Sequence, residues 1–293
     1  MVHPLLRGIM SHSILDRLTA ELAELPTKLK VAAKYALDNP DRIAFGSMRG
    51  VAVECGVSSP TMLRLARHLE FDSYEDFKAC FQNEIAGNSF SSRAGALMGS
   101  GTGVGSPLID RLKVAALDNV TSAMTQNAPE TFKEMATILR TAETTHLVAA
   151  GSMYWIAAHM ENTGGIAFRG LRTARPGTAT VLETLSLIGP KDAVLIIAVS
   201  PYAKVAVNAL TYANEAGAQT MAITDRRSSP FATLVNHCLF APTASPHYYP
   251  SVVGIAAVAE ALLACAVAGS QGAAIKRIET VEKLRLQSGA YFE

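Results

Sequence analysis

Residues Ser47–Glu70 read SMRGVAVECGVSSPTMLRLARHLE, two short helical stretches hinged at Gly56. A helix-turn-helix needs a small residue where its helices cross, a glycine able to turn with positive φ, and apolar residues that seat the second helix on the first. Ala52 supplies the first, Gly56 the second, and Val57, Met62 and Leu65 the third. Ser58 stands where it can cap the second helix, and Pro60 lies in the first turn, where a missing N–H costs little. This periodicity predicts an outward face of Ser59, Thr61, Arg64, Arg67 and His68. Hydroxyls and helix-terminal N–H groups suit phosphates, and arginine suits guanine edges or phosphate, so these five and Ser58 are candidate DNA contacts. The patch is local: residues 1–90 hold ten Lys/Arg against eleven Asp/Glu, whereas Ser47–Leu69 carries three arginines against Glu54. A helical hairpin built only for packing shows the same Ala-Gly-Val features, and the residues alone leave both readings open.

Outward from this pair, every periodic segment in residues 11–86 reads as helix: about 11–25, 27–38, 47–55, 58–69 and 73–86, with breaks at Pro26, Asn39-Pro40, Gly56 and Asp72. Composition then changes. Between Ala86 and Ser106, six glycines and five serines fall in 21 residues, which predicts a linker over 87–106. Its run GSGTGVG (Gly99–Gly105) follows no predicted strand and no Lys-Ser/Thr comes after it, unlike a phosphate loop. Beyond it, helices at 107–126 and 129–141 lead into strands His146–Ala150, Leu171–Ala174, Ala193–Ser200, Thr220–Thr224 and Cys238–Ala241. Helices are predicted between and after them near 152–165, 203–216, 229–235 and 252–268. Strands apolar throughout imply a parallel sheet covered on both faces. The fold class is therefore an all-α helix-turn-helix domain, 11–86, followed by a doubly wound α/β domain, 107–293.

The run Asn39–Phe77 resembles the N-terminal domain of RpiR-type bacterial transcriptional regulators. That family's string GVS-x-x-T-x-x-R-x-x-R/K-x-L-x-F-x-x-Y-x-x-F is met by Gly56, Val57, Ser58, Thr61, Arg64, Arg67, Leu69, Phe71, Tyr74 and Phe77. Glu70 stands where the family usually has glycine, which predicts a differently shaped end to the second helix. Residues 192–242, with AITDRRSSPFA (Ala222–Ala232), are similar to the SIS (sugar isomerase) domain. The resemblance implies a sugar-phosphate-binding module behind the helix-turn-helix, and a homo-dimer or tetramer on a double-stranded DNA operator.

In doubly wound sheets ligands sit beyond the carboxyl ends of the strands. Three loops qualify, and they supply the candidate effector contacts: Gly151, Ser152 and Tyr154; Ser200, Tyr202 and Lys204; Ser228 and Ser229 beside Arg226 and Arg227. Hydroxyls with cations suit a small phosphorylated or carboxylated molecule, although such hydroxyls also occur as plain helix caps. Where the SIS family shows S-x-S-G-x-T after its third strand, this chain reads Ala198, Val199, Ser200, Pro201, Tyr202, Ala203. Each hydrogen bond lost to an anion removes about 1.5–3 kcal/mol, so an ordinary hexose or pentose phosphate is expected to bind weakly. His247, Tyr248 and Tyr249, between Pro246 and Pro250, read equally as an exposed turn or a pocket wall.

Composition narrows the classes left. Across 293 residues, 49% hydrophobic, 17% charged and mean hydropathy +0.21 exclude a disordered chain. Lys plus Arg (26) nearly cancels Asp plus Glu (25), so no overall field recruits nucleic acid or anionic lipid. Four scattered cysteines form no CxxC and no metal spacing; a cytoplasmic setting is expected, with no cofactor, metal or membrane partner. Val252–Gly269, interrupted by Glu260, reads as a buried core helix rather than a membrane span. Two further classes remain beside a non-enzymatic regulator. One is a sugar-phosphate isomerase with an accessory helical domain, for which Glu183 is the available base; the other is a bare oligomerisation platform.

Overall fold

The computed structural model describes residues 14–87, 90–99, 105–174 and 180–289. The chain forms two compact units, Met1–Gly101 and Thr102–Glu293.

The first unit is helical: α1 (Ile14–Glu21), α2 (Thr27–Asp38), α3 (Pro40–Phe45), α4 (Met48–Cys55), α5 (Ser59–His68), α6 (Tyr74–Gly87) and α7 (Phe90–Gly99). Its core closes around Leu18, Ala32, Ala36, Ile43, Ala52, Met62, Leu65, Leu69, Phe77 and Phe81. Phe71, Phe77 and Phe81 stack edge to face with centroids 5.7 and 5.0 Å apart, so the aromatic half of the family string serves packing. Two helices were not predicted. Asn39-Pro40 reads as a break, yet Pro40 is the first residue of α3, the position where a fixed φ favours a helix start. The expected linker over 87–106 contains α7.

The second unit alternates helices and strands: α8 (Ser106–Thr125), α9 (Pro129–Thr141), β1 (Thr145–Ala149), α10 (Tyr154–Ala167), β2 (Leu171–Thr173), α11 (Val181–Thr184), β3 (Ala193–Ala198), α12 (Lys204–Glu215), β4 (Gln219–Thr224), β5 (His237–Phe240), α13 (Val253–Ala268) and α14 (Ala273–Gln287). All strand pairs are parallel, in the order β2-β1-β3-β4-β5. Side-chain alternation along β3 sends Leu195 and Ile197 into the cluster of Met135, Ile156, Val258 and Leu262, on the side of α9, α10 and α13. Val194, Ile196 and Ala198 face Ala206, Ala209, Leu210 and Phe231, on the side of α12. All five predicted strands form within one or two residues of their expected ends. The helix expected at 229–235 is a series of turns. α13 is a core helix, with Ile255, Val258, Ala259 and Leu262 fully buried; no single helix among the described residues is long and apolar enough to cross a membrane.

In this strand order β1 and β3 run outward to opposite sides, which makes the crevice between their carboxyl ends the topological switch point. The loop after β5 lies across α8. Asn119 Nδ2 donates to Ala244 O at 2.7 Å, and Asn127 holds Phe240 through both backbone groups at 2.7 and 2.8 Å. A Cβ on Gly254 would come 3.2 Å from Asn119 O and from Pro242 O, so glycine there lets α13 start close against α8.

Candidate functional site

The first candidate is the outer face of α5. Gly56 takes φ +71 and closes α4 in the left-handed conformation, with its N–H on Ala52 and Val53 carbonyls; Val57 N then returns to Ala52 O at 2.9 Å. This hinge seats Met62, Leu65 and Ala66 in the core and leaves Arg64 and Arg67 exposed. The Arg67 guanidinium makes no hydrogen bond or ion pair among the described residues, and Ser59, at the start of the same helix, is half-buried.

Three predicted contacts already have partners within the unit. Thr61 is 1% exposed, so it turns inward. Its hydroxyl pairs with Ser58 Oγ at 2.9 Å and accepts from Arg64 Nη2 at 3.2 Å. Ser58 occupies the N-cap but makes no side-chain bond to the helix backbone; its hydroxyl is spent on Thr61. His68 Nε2 lies 3.3 Å from Glu21 Oε2 of α1. Ser58, Thr61 and Arg64 thus form a chain that fixes the Arg64 fork at the amino-terminal half of α5. Behind this face, Glu54 of α4 accepts from Arg42 of α3 through both oxygens and from Tyr35 of α2. Arg42 first and Tyr35 second hold the Glu54 carboxyl at about 2, well below its ordinary value.

The second candidate is the switch-point crevice. A compartment of about 110 Å³ is lined by Gly151 and Ser152 after β1, by Ala198, Ser200 and Ala203 after β3, and by Tyr249. Gly151 turns with φ +57 into a single 3-10 turn, Gly151–Met153, that precedes α10. The Ser152 hydroxyl makes no hydrogen bond among the described residues. Of the eight predicted effector contacts, Gly151, Ser152 and Ser200 meet here. The other five do not line this compartment. Tyr154 begins α10 and Lys204 begins α12. Tyr202 turns into the core beneath the sheet end: its hydroxyl donates to Asp225 Oδ1 at 2.7 Å and its ring meets Phe231 edge to face at 5.7 Å. Burial, with the Asp225 carboxylate beside it, pushes this phenol far above its ordinary value. Ser229 is 3% exposed; its hydroxyl is paired with Thr224 Oγ1 at 2.9 Å and accepts from Phe231 N at 3.3 Å. Ser228 Oγ is buried without a hydrogen-bond partner among the described residues, outside the crevice lining.

The expected cations are also elsewhere. Arg226 pairs with Asp225 at 3.0 Å, and Arg227 lies 4.7 Å over the Phe240 ring. Among the described residues, hydroxyl and backbone groups, rather than charge, are what this crevice offers an anion. Glu183 closes a capping box with Thr180 at the start of α11, and those hydrogen bonds lower its pKa. The loop His247–Pro250, whose function the sequence leaves open, walls the crevice through Tyr249 and Pro250.

The sequence matches the rpiR-family helix-turn-helix domain over residues 12–88 and the SIS domain over residues 138–268. Among solved structures, the sugar isomerase domain of an RpiR transcription factor from Sphaerobacter thermophilus is 27% identical, covers 61% of this chain and 99% of that one, and superposes with a TM-score of 0.56. The Vibrio vulnificus NanR protein, solved as a complex with ManNAc-6P, is 16% identical, covers 94% of this chain and 98% of that one, with a TM-score of 0.56; at that identity the likeness is one of fold. No curated protein matches the chain. With an rpiR-type helix-turn-helix in its first unit and a SIS domain in its second, the chain belongs to the RpiR-type transcriptional regulators.

Proposed function

We propose that α5 enters the major groove of an operator, with Arg64 and Arg67 as its principal contacts and Ser59 beside them, while the crevice between β1 and β3 binds the anionic end of a small sugar-type effector. The carrying observation is the pair of exposed guanidiniums on α5, one held in place by Thr61 and the other without a side-chain partner among the described residues. Arginine in that setting gives bidentate contact with guanine or neutralises phosphate. Thr61 and Ser58 act behind it as positioning groups. In the crevice, Ser152, Ser200 and the backbone N–H groups of the Gly151 turn are donors for an anion among the described residues.

The protein acts as a homo-oligomer that presents two α5 faces together. Ile109, Val114, Leu117 and Met124 leave apolar surface on α8, of the kind that copies of a chain cover in one another. The effector changes operator affinity only if it binds one arrangement of the assembly better than another, since equal affinity for both shifts nothing. No turnover is assigned. Glu183, the base available to an isomerase reading, is committed to the α11 capping box. Selection of duplexes from a random library tests the reading. The wild-type chain is expected to enrich one motif and Arg64→Ala to enrich none; equal enrichment by both would remove α5 from the interface.

A further inference from the structure

Beside the 110 Å³ compartment lies a larger one of about 700 Å³. Ser152, Tyr249 and Pro250 line both, so they are two rooms of one cleft. The small room is below the usual size of a ligand pocket and the large room is within it. A ligand anchored at the switch point therefore has its head group in the first and its body in the second.

The walls of the large room say what that body is. Leu112 and Ala116 of α8 form one side, Val252 and Val253 another, and His247, Tyr248 and Tyr249 a third. Among the described residues no Lys, Arg, Asp or Glu lines it, and a charge left there without a partner would pay its full desolvation. The three rings form one cluster: His247 and Tyr248 centroids are 4.4 Å apart, Tyr248 and Tyr249 6.3 Å. The cluster is held by its own backbone, since Tyr249 N donates to His247 Nδ1 at 3.1 Å. Nδ1 also lies 3.2 Å from Tyr249 O, so the His247 ring meets both the amide and the carbonyl of Tyr249. Ser251 N donates to Thr243 O at 2.9 Å, closing the loop below. The rings thus form a supported apolar wall, and a flat aromatic group is what such a wall stacks against.

We propose that the effector carries a neutral aromatic substituent, seated against Tyr248 and Tyr249 and over Leu112 and Ala116, with its anionic end at Ser152 and Ser200. This rests on the reading of the sheet-end crevice as the effector site. It also accounts for Ala198 and Ala203: affinity comes from the apolar room where the hydroxyl ring of the small one is incomplete.

Three probes, titrated calorimetrically into the full-length chain, test it: glucose 6-phosphate, phenyl β-glucoside 6-phosphate and phenyl β-glucoside. The phenyl phosphate is expected to bind at least about tenfold tighter than glucose 6-phosphate, the gain from burying one ring. Tyr248→Ala, at a half-exposed side chain, and Ala116→Trp, which fills the room, are each expected to bring the two phosphates to equal affinity without weakening glucose 6-phosphate. Equal affinity in the wild type overturns the proposal, as does failure of all three probes to bind at millimolar concentration. A change in oligomeric mass in the variants with the affinity ratio intact also overturns it, because the room would then be an interface between copies. A fourth probe, phosphocholine, binding as tightly as the phenyl β-glucoside 6-phosphate, with the same Tyr248 dependence, would replace the neutral group by a cation. Equal binding of phenyl β-glucoside with and without phosphate would leave the aromatic room standing and remove the anionic end, the separate failure of the crevice reading.

Discussion

Glu70 follows the last turn of α5 with φ +64, in the region that costs a residue with a Cβ about 1–2 kcal/mol. Phe71 N returns to Ala66 O at 3.0 Å across it, so the helix end keeps the left-handed turn where a different shape was expected, and Glu70 bears the strain that the family's glycine avoids. Glu70→Gly is expected to stabilise the helix-turn-helix unit by about 0.5–1 kcal/mol, after allowance for glycine's extra chain entropy; a denaturation midpoint that falls would contradict this. Glu54 gives a pH test. Its carboxyl sits at about 2 in the folded chain against an ordinary 4.5, a depressed value, so the stabilisation it brings is present above about 4.5 and is lost as pH falls toward 2. Glu54→Gln removes that component. Its acid unfolding curve, followed by circular dichroism, is expected to be flatter than the wild type's across that window, and an identical curve would show that the Arg42 and Tyr35 contacts do not act as drawn.

Among elements, the α4–α5 hinge carries the most consequence. A Cβ on Gly56 would meet nothing within 4 Å, so substitution there is opposed by backbone conformation alone. Gly56→Ala is expected to cost about 1 kcal/mol in the chemical denaturation of the helical unit, and no loss would mean that α4 and α5 do not depend on the left-handed turn. The hinge was legible in the sequence because glycine, a small crossing residue and an apolar stripe are each visible in it. The sheet was legible too, since buried parallel strands read as continuous apolar runs. Other elements were not. α3 hides behind Asn39-Pro40, where the same proline that ends one helix begins the next. α7 lies in a Gly/Ser-rich stretch that composition assigns to a linker. The turns at 229–235 look helical by apolar spacing, but Ser229 and Phe231 are drawn into the core beside Thr224. The site was half legible for the same reason: topology points to the loops after β1 and β3, whereas the direction of Tyr202, Ser229 or Thr61 depends on which buried neighbour takes the hydroxyl.

On the scale of the whole molecule, DNA recognition and effector binding reside in separate units of one chain, and any regulation is a coupling free energy between them. Such coupling is reciprocal. If a phosphorylated ligand weakens operator binding by some factor, operator DNA must weaken that ligand by the same factor; calorimetry of the ligand with and without duplex measures it, and unequal factors would mean that a third binding event is involved. The proposed contact of the α5 face with DNA is read directly by the salt dependence of binding. Each phosphate neutralised by an arginine adds about one to the slope of log affinity against log salt concentration. Operator binding, titrated over a range of salt for the wild type and for Arg64→Ala with Arg67→Ala, is expected to show a loss of sequence preference and a slope shallower by one to two for each α5 engaged. An unchanged slope with the motif still preferred would place the DNA on another surface.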